Sequence, residues 1–193
     1  QGRSDQPLSA AGRGAVLRWR LPKRLVGHRW LTSPLTRARE TAALLGQADA
    51  AIEPLLTEMD WGAWEGRRLG ALRAADPAGM AAEEARGLDL TPPGGESPRR
   101  VQERLKPLLL RLAVEDRPTA AVSHKGVIRA LYALASGWDM VSRPQAKLRV
   151  QCLHVFLLER DGRLRIDSLN LPLAPERAGK GADESADENA DEQ

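Results

Sequence analysis

Short apolar runs that suit β-strands alternate with amphipathic patterns that suit α-helices along most of the 193 residues. Two such runs cover 28–33 and 119–124, and each is followed at once by a helical pattern, over 34–46 and 125–137. Strands separated by helices usually pair in parallel, with the helices covering the sheet. The order therefore predicts an α/β sandwich built on a largely parallel sheet.

Local signals predict where two of the helices begin and end. Ser33 is placed as the N-cap of the first, Pro34 suits the first helical position, and Gly46 closes the helix. A longer amphipathic helix over 97–116 has the same Ser-Pro start. Pro107 lies inside that pattern and predicts a kink or a break, because proline lacks the N–H that a helix interior uses.

The last part of the chain predicts a hairpin and a tail. Residues 152–169 read as two strands around an Asp161-Gly162 turn, which adds an antiparallel edge to the sheet. Residues 176–193 hold seven acids and two bases and no apolar side chain larger than Ala. Such a segment does not bury enough surface to offset its chain entropy. We therefore expect one domain over 1–175 and a disordered acidic tail.

Charge and composition limit the classes of partner. The formal net charge is +3, and because the tail carries −5, residues 1–175 carry +8. A basic body suits anionic small molecules or nucleic acid, but one Phe and one Tyr give few stacking platforms for bases. No apolar run approaches the ~18 residues of a membrane span. The single Cys152 allows no internal disulfide, reads as a small buried residue and fits a reducing, cytoplasmic setting. We expect no membrane and no nucleic-acid partner.

Two basic positions stand where a phosphate group can be bound. Arg37 lies in the first turn of the helix after Ser33, where free N–H groups and a planar guanidinium suit phosphate or carboxylate. His124 ends a buried strand, and ligands of open α/β sheets bind outside the carboxyl ends of strands. That histidine is a candidate nucleophile, base or anion ligand, or a residue that only fixes a turn. Lys125 adds charge, and Gly126 permits close backbone approach.

A third candidate region is LTEMDWGAWEG, residues 56–66, which holds Glu58, Asp60 and Glu65 among two Trp and two Gly. A carboxyl group in partly apolar surroundings has a raised pKa and suits a general acid; the alternative is a Trp-anchored loop with solvated acids. No metal site is predicted, because the chain has three His and one Cys without metal-ligand spacing. His28 and His154 lie in strand-like runs and are read as structural.

In order along the chain, five stretches resemble motifs of the histidine phosphatase superfamily, the phosphoglycerate-mutase-like fold. They are QGRSDQPLSAAG, SPLTRARETA, LTEMDWGAWEG, PPGGES and AVSHKGVIRAL. The match runs from residue 1 to about 173, and the resemblance implies a three-layer α/β/α sandwich with a mixed, mostly parallel sheet. One departure is Lys125, where the family commonly has Gly.

The family's opening motif, a strand followed by Arg-His-Gly, does not occur in these 193 residues. The resemblance implies that this strand and its phosphoryl-accepting histidine lie before Gln1, so we expect the 193-residue chain to be inactive without them. It further implies that Arg37 and His124 hold phosphoryl oxygens and that Glu58 is the acid and then the base. No metal or other cofactor is implied.

By the same resemblance, the substrate-binding residues are Gln1, Gly2, Arg37, Trp61, Lys125 and Gly126. The stretch RGLDLTPPGGES, residues 86–97, would form the pocket wall and lid. The expected partner is a phosphorylated small molecule, and a homodimer is compatible with the family.

Four functions remain open from the sequence, a phosphatase and three alternatives to it. The spacing from Glu58 to His124 is shorter than in the mutases that resemble this fold, which favours a phosphatase over a phosphoglycerate mutase. The missing nucleophile and Lys125 also fit a pseudo-enzyme that binds a phosphorylated ligand or partner without hydrolysing it. A nucleic-acid binder, the third alternative, depends only on the basic charge.

Overall fold

The structure is a computed structural model and describes residues 1–173. Its strands are β1 (Arg29–Thr32), β2 (Ala51–Ile52), β3 (Thr119–Val122), β4 (Cys152–Leu158) and β5 (Leu164–Pro172). Its α-helices are α1 (Ala10–Leu17), α2 (Thr36–Leu44), α3 (Leu69–Ala75), α4 (Pro77–Glu84), α5 (Pro98–Glu115) and α6 (Lys125–Ser136). Short 3₁₀ turns cover Lys23–Leu25, Pro54–Leu56, Gly62–Trp64 and Gly87–Asp89. The tail predicted over 176–193 lies outside the described residues.

A parallel sheet with the order β2-β1-β3 forms the centre of the molecule. Leu31 of β1 stands opposite Ala51 of β2 and Ala121 of β3, and both pairings are parallel. This arrangement confirms the predicted α/β class with a mostly parallel sheet. The carboxyl ends of β1 and β3 therefore lie side by side, followed by Ser33 and His124.

The predicted hairpin forms, but it does not extend the parallel sheet. β4 and β5 pair antiparallel as a separate two-stranded sheet, and Gly162 takes the positive φ of 83° that the turn requires. The expectation that the hairpin adds an edge to the same sheet is therefore wrong for residues 1–173. The physical reason is a gap between β3 and β4, described below.

Helix α5 begins and helix α6 ends at the residues that the sequence predicts. Ser97 Oγ accepts a hydrogen bond from the N–H of Arg100 at the start of α5, and Gly137, at φ 72°, closes α6. Pro107 does not break α5, which continues from Pro98 to Glu115. Between residues 56–66 and α5 the chain also forms α3 and α4, which the sequence did not indicate.

Helix α2 begins later than predicted. Its N-cap is Leu35, not Ser33, because Ser33 and Pro34 still belong to the turn after β1. The capping carboxylate comes instead from Asp5, whose oxygens accept from the N–H of Thr36 at 2.6 Å and from its hydroxyl at 2.9 Å. The predicted end is correct, since Gly46 takes a φ of 79° directly after Leu45.

The core packs between the sheet and helices α5 and α6. Its buried cluster is formed by Leu31, Leu56, Met59, Val101, Leu105, Leu108, Val127 and Ala130. Met59 belongs to this cluster, so the residue beside Glu58 is anchored in the core. Among residues 1–173, no helix combines the length and the hydropathy needed to cross a bilayer.

An apolar groove of about 910 Å³ separates β3 from β4, and we call it the β3–β4 groove. All of β3 and all of β4 line it, together with side chains such as Leu45, Leu109 and Ile128 from the helical layers. Arg37 and His124 also line it, so the groove reaches the carboxyl end of β3.

Candidate active site

His124 lies at the junction of β3 and α6 and is 7% exposed. Its Nε2 is 2.7 Å from the hydroxyl oxygen of the fully buried Ser33, at the end of the neighbouring strand. Burial, and then the positive charges of Arg37 and Arg104, lower the pKa of His124 to about 4. The imidazole is therefore neutral at physiological pH, and Ser33 orients it.

Arg37 lies in the first turn of α2 and binds the N-terminal segment. Its Nη1 donates to the carbonyl oxygen of Ser4 at 2.9 Å and its Nη2 to that of Gly2 at 2.7 Å. A guanidinium carries five N–H donors, so two bonds to carbonyls do not exhaust it. The charge of Arg37 also acts on His124 and on Glu58, which places all three side chains in one electrostatic environment.

Glu58 is 5% exposed, and its carboxylate lies on the N-terminus of α6. It accepts hydrogen bonds from the N–H of Met59 at 2.8 Å and of Gly126 at 3.1 Å. Burial raises the pKa of Glu58, and these bonds together with Arg37 oppose that rise without cancelling it. The group can therefore hold a proton nearer to neutral pH than an exposed glutamate, as a general acid requires.

Gly126 is required by this contact. A Cβ at residue 126 would overlap Glu58 Oε1 and would lie 3.2 Å from the Cβ of Met59. The sequence predicts that Gly126 permits close backbone approach of a ligand, and in the structure the group that approaches it is the Glu58 carboxylate. Lys125, directly before it, is exposed at the first position of α6.

The N-terminal segment, residues 1–5, is held by charged side chains on both sides. Glu65 Oε1 accepts from the N–H of Gly2 at 2.7 Å and of Ser4 at 3.3 Å, while Arg37 binds carbonyls of the same segment. Although partial burial of Glu65 works against it, these N–H donors lower its pKa. The sequence offered Glu65 only as one of three carboxylates. Its role here depends on contacts 61 to 63 residues away in the chain.

Gly2 is buried and Gln1 is exposed. A Cβ on Gly2 would lie 2.6 Å from Cδ1 of Trp61 and 2.8 Å from the carbonyl oxygen of Met59. Glycine is therefore the residue that lets the chain pass this close to Trp61 and to the backbone of Met59. The structure thus brings Gly2 and Trp61 together beside Arg37.

The predicted lid, within residues 86–97, packs against residues 60–63. The N–H of Ala63 donates to the carbonyl of Pro93 at 2.9 Å, and the N–H of Glu96 donates to that of Asp60 at 2.8 Å. Gly62, at φ 47°, has no room for a Cβ because the carbonyl of Pro93 lies against it. Residues 93–96 therefore pack against residues 60–63, which follow Glu58 in the chain.

The remaining candidates lie elsewhere. His154, on β4, is within 3.2 Å of the carbonyl of Arg149 and accepts from the N–H of Asn170, which is a structural arrangement. Cys152 is half-buried, and burial raises the pKa of its thiol. Within residues 1–173 no group of three His, Cys, Asp or Glu side chains is placed to hold a metal ion.

Comparison with known proteins gives a family and several relatives. The family model described as "Histidine phosphatase superfamily (branch 1)" matches residues 1–172. A glucosyl-3-phosphoglycerate phosphatase of Mycolicibacterium vanbaalenii is 34% identical over 164 residues, 75% of this chain and 69% of that protein. A bifunctional protein of Mycobacterium tuberculosis is 34% identical over 110 residues, 54% of this chain and 30% of that protein.

A solved structure shows the same fold. A mycobacterial glucosyl-3-phosphoglycerate phosphatase in complex with inorganic phosphate matches with a TM-score of 0.74 at 26% identity. The match covers 90% of this chain and 91% of that one.

Proposed function

The chain belongs to the histidine phosphatase superfamily, and on that premise we propose that it carries the phosphate clamp and the acid of a phosphomonoester hydrolase. The observation that supports this most is the cluster at the carboxyl ends of β1 and β3: a neutral His124, the guanidinium of Arg37 and the buried Glu58 on the N-terminus of α6. The positive charge of Arg37 beside a neutral imidazole suits a phosphoryl group.

The proposed reaction has two steps with a phosphohistidine between them. A neutral histidine attacks phosphorus, the bond to the leaving oxygen breaks, and Glu58 gives its proton to that oxygen. Glu58 then removes a proton from water, which attacks phosphorus and releases phosphate and the free imidazole. Arg37 and His124 hold the phosphoryl oxygens and offset the charge of the transition state.

The attacking histidine is not His124 in this proposal but belongs to an Arg-His-Gly segment joined to Gln1. The β3–β4 groove supports this. Pro118 and Val122 accept hydrogen bonds from β1, so Ala121 between them turns its N–H and C=O toward the groove. One more strand would pair there, and its carboxyl end would emerge beside Arg37, which already holds Gly2.

The proposed substrate is a phosphorylated small molecule. Two of the relatives are named for a phosphorylated glucosyl-glycerate, which makes a sugar or glycerate phosphate the first class to assay. The wall at 86–97, Trp61, the exposed Lys125 and the N-terminal segment would contact the part of the substrate beyond phosphorus. No metal takes part in the proposed steps.

The proposal is tested by extending the chain upstream of Gln1 with the residues its gene encodes there. We expect the extended protein to hydrolyse p-nitrophenyl phosphate and a glycerate or sugar phosphate, in the presence of a chelator, and to form an acid-labile phosphoenzyme. The 193-residue chain should not, and Glu58→Gln in the extended protein should lower kcat by about 10²–10⁴. An extended protein with no turnover and no phosphoenzyme would refute the hydrolase.

A second function is favoured by one observation, the exposed Lys125 at the first position of α6, where the family commonly has Gly. In that case the cluster binds a phosphorylated ligand without hydrolysis. The same experiment separates the two, since a non-catalytic protein would bind inorganic phosphate in both forms and turn over in neither. A mutase would instead move the phosphoryl group within a phosphoglycerate.

A further inference from the structure

We propose that Arg104 of α5, paired with Glu96, is a positioning residue that fixes the loop carrying Glu58. We call residues 55–60 the acid loop. The inference deepens the proposed function and rests on it only for the meaning of Glu58 as an acid, because the contacts themselves are independent of any reaction.

Arg104 reaches the acid loop from its N-terminal side. Its Nη2 donates to the carbonyl of Thr57 at 2.6 Å, and its Nη1 donates to the carbonyl of Leu55. Only 17% of the Arg104 side chain is exposed. One planar guanidinium thus satisfies the carbonyl of Thr57, directly before Glu58, and that of Leu55, three residues before it, which orients the backbone from which the Glu58 side chain projects.

Glu96 completes the arrangement on the other side of Glu58. Its Oε1 accepts from Arg104 Nε at 2.8 Å, and its Oε2 is 3.3 Å from Arg104 Nη2. Oε2 also accepts a longer bond of 3.4 Å from the N–H of Asp60, and the N–H of Glu96 donates to the carbonyl of Asp60 at 2.8 Å. The pair therefore binds the acid loop before and after Glu58.

The same carboxylate also contacts the N-terminal segment. Arg3 Nη2 lies 3.5 Å from Glu96 Oε2, and Arg3 Nη1 lies 3.5 Å from Asp60 Oδ2. These bonds are long and half-exposed, so they add little energy. They do show that the lid, the acid loop and the segment bound by Arg37 share one charged network.

Lysine cannot replace arginine in this arrangement. A fork with donors at fixed angles reaches a carboxylate and two carbonyls at once, whereas an ammonium is a point charge with three rotating donors. Arg104→Lys therefore keeps the positive charge near His124 but loses the simultaneous contacts. The Arg104→Lys variant therefore distinguishes a positioning role of Arg104 from an effect of its positive charge alone.

The test follows the ionisation of Glu58 through its neighbour. Because the N–H of Gly126 donates to Glu58 Oε2, the amide shift of Gly126 in a pH titration by NMR reports that carboxyl group. The titration uses the 193-residue chain, its Arg104→Lys and Arg104→Gln variants, and Arg99→Lys as the matched control. Arg99 is on the same helix and pairs with the exposed Asp89.

If Arg104 positions the acid loop, the midpoint of the Gly126 titration should fall in both Arg104 variants toward the ordinary pKa of a glutamate. The reason is that a released acid loop exposes Glu58 to water. Arg99→Lys should keep the parent midpoint. If Arg104→Gln fails to fold, Arg104→Lys decides alone. Folded Arg104 variants with the parent midpoint would overturn the proposal, and since no turnover is measured, that result leaves the hydrolase proposal untouched.

Discussion

The two edges of β3 differ in almost every respect. One edge pairs with β1, and at its carboxyl end Ser33, His124 and Glu58 are buried with their polar atoms hydrogen-bonded. The other edge faces an apolar groove, with Ala121 exposed in the middle of the strand. The first edge is hydrogen-bonded to its neighbouring strand, and the second is a surface that would pair with a further strand.

The difference matters for function because Arg37 and His124 belong to both regions. They complete the polar cluster on the paired side and line the end of the groove on the other. A strand in that groove would therefore present its last residues to the proposed phosphate clamp, Arg37 and His124.

The largest predicted difference between the two regions is an effect on kcat at Arg37, which belongs to both of them. In the extended protein Arg37→Ala should lower kcat by about 10²–10³, because a donor to the transferred phosphoryl group is lost. Arg39→Ala, an exposed position on the same helix, is the matched control and should change kcat little. Steady-state kinetics on p-nitrophenyl phosphate would measure both, and equal effects would contradict the assignment.

The next effect is the pH dependence of stability on the paired side. Burial and the positive charges of Arg37 and Arg104 hold the pKa of His124 near 4, so between pH 6.5 and 4 the unfolded chain binds a proton that the native chain does not. Native stability should therefore fall as pH is lowered through that window, by up to about 3 kcal/mol. Burial raises the pKa of Glu58, so this group acts in the opposite direction. Its contribution to native stability is present at low pH and is lost as the pH rises through its raised pKa.

Urea unfolding at several pH values measures this dependence. His124→Gln should flatten the profile between pH 6.5 and 4, because the group that titrates differently in the two states is gone. A variant with the parent's slope would show that the burial of His124 does not govern acid stability.

A smaller effect is expected on the free energy of unfolding when side chains are truncated in the core and in the β3–β4 groove. Val127 is fully buried in the core, and Val127→Ala should cost roughly 2 kcal/mol of unfolding free energy from lost burial and a cavity. Leu157 on β4 lines the groove and is 50% exposed, so Leu157→Ala should cost less than about 0.5 kcal/mol in the 193-residue chain. In the extended chain the Leu157 cost should grow toward that of Val127. Equal costs for Leu157→Ala in the two chains would mean that the groove stays empty.

The sequence predicted those parts of the fold that are specified locally. Helices α5 and α6 carry their own caps in Ser97 and Gly137, and the hairpin carries its own turn at Gly162. The start of α2 was missed because its cap, Asp5, is 31 residues away from Thr36.

For the candidate site, too, the sequence led to individual residues but not to the distant residues that contact them. Motif resemblance and strand ends led to Arg37, Glu58 and His124, but their partners Ser33, Glu65 and Arg104 act through contacts of 61 to 91 residues or through backbone carbonyls. No local pattern in the sequence specifies such contacts. The separation of the hairpin from the parallel sheet likewise depends on how β3 and β4 pack, which periodicity does not report.

The central claim, that the open edge of β3 receives a strand which ends at the phosphate clamp, is tested most directly by amide hydrogen exchange at Ala121. We predict that Ala121 exchanges much more slowly in a chain extended before Gln1 than in the 193-residue chain, while Leu31 on the paired side changes little. Equal exchange of Ala121 in the two chains, both folded, would contradict the account.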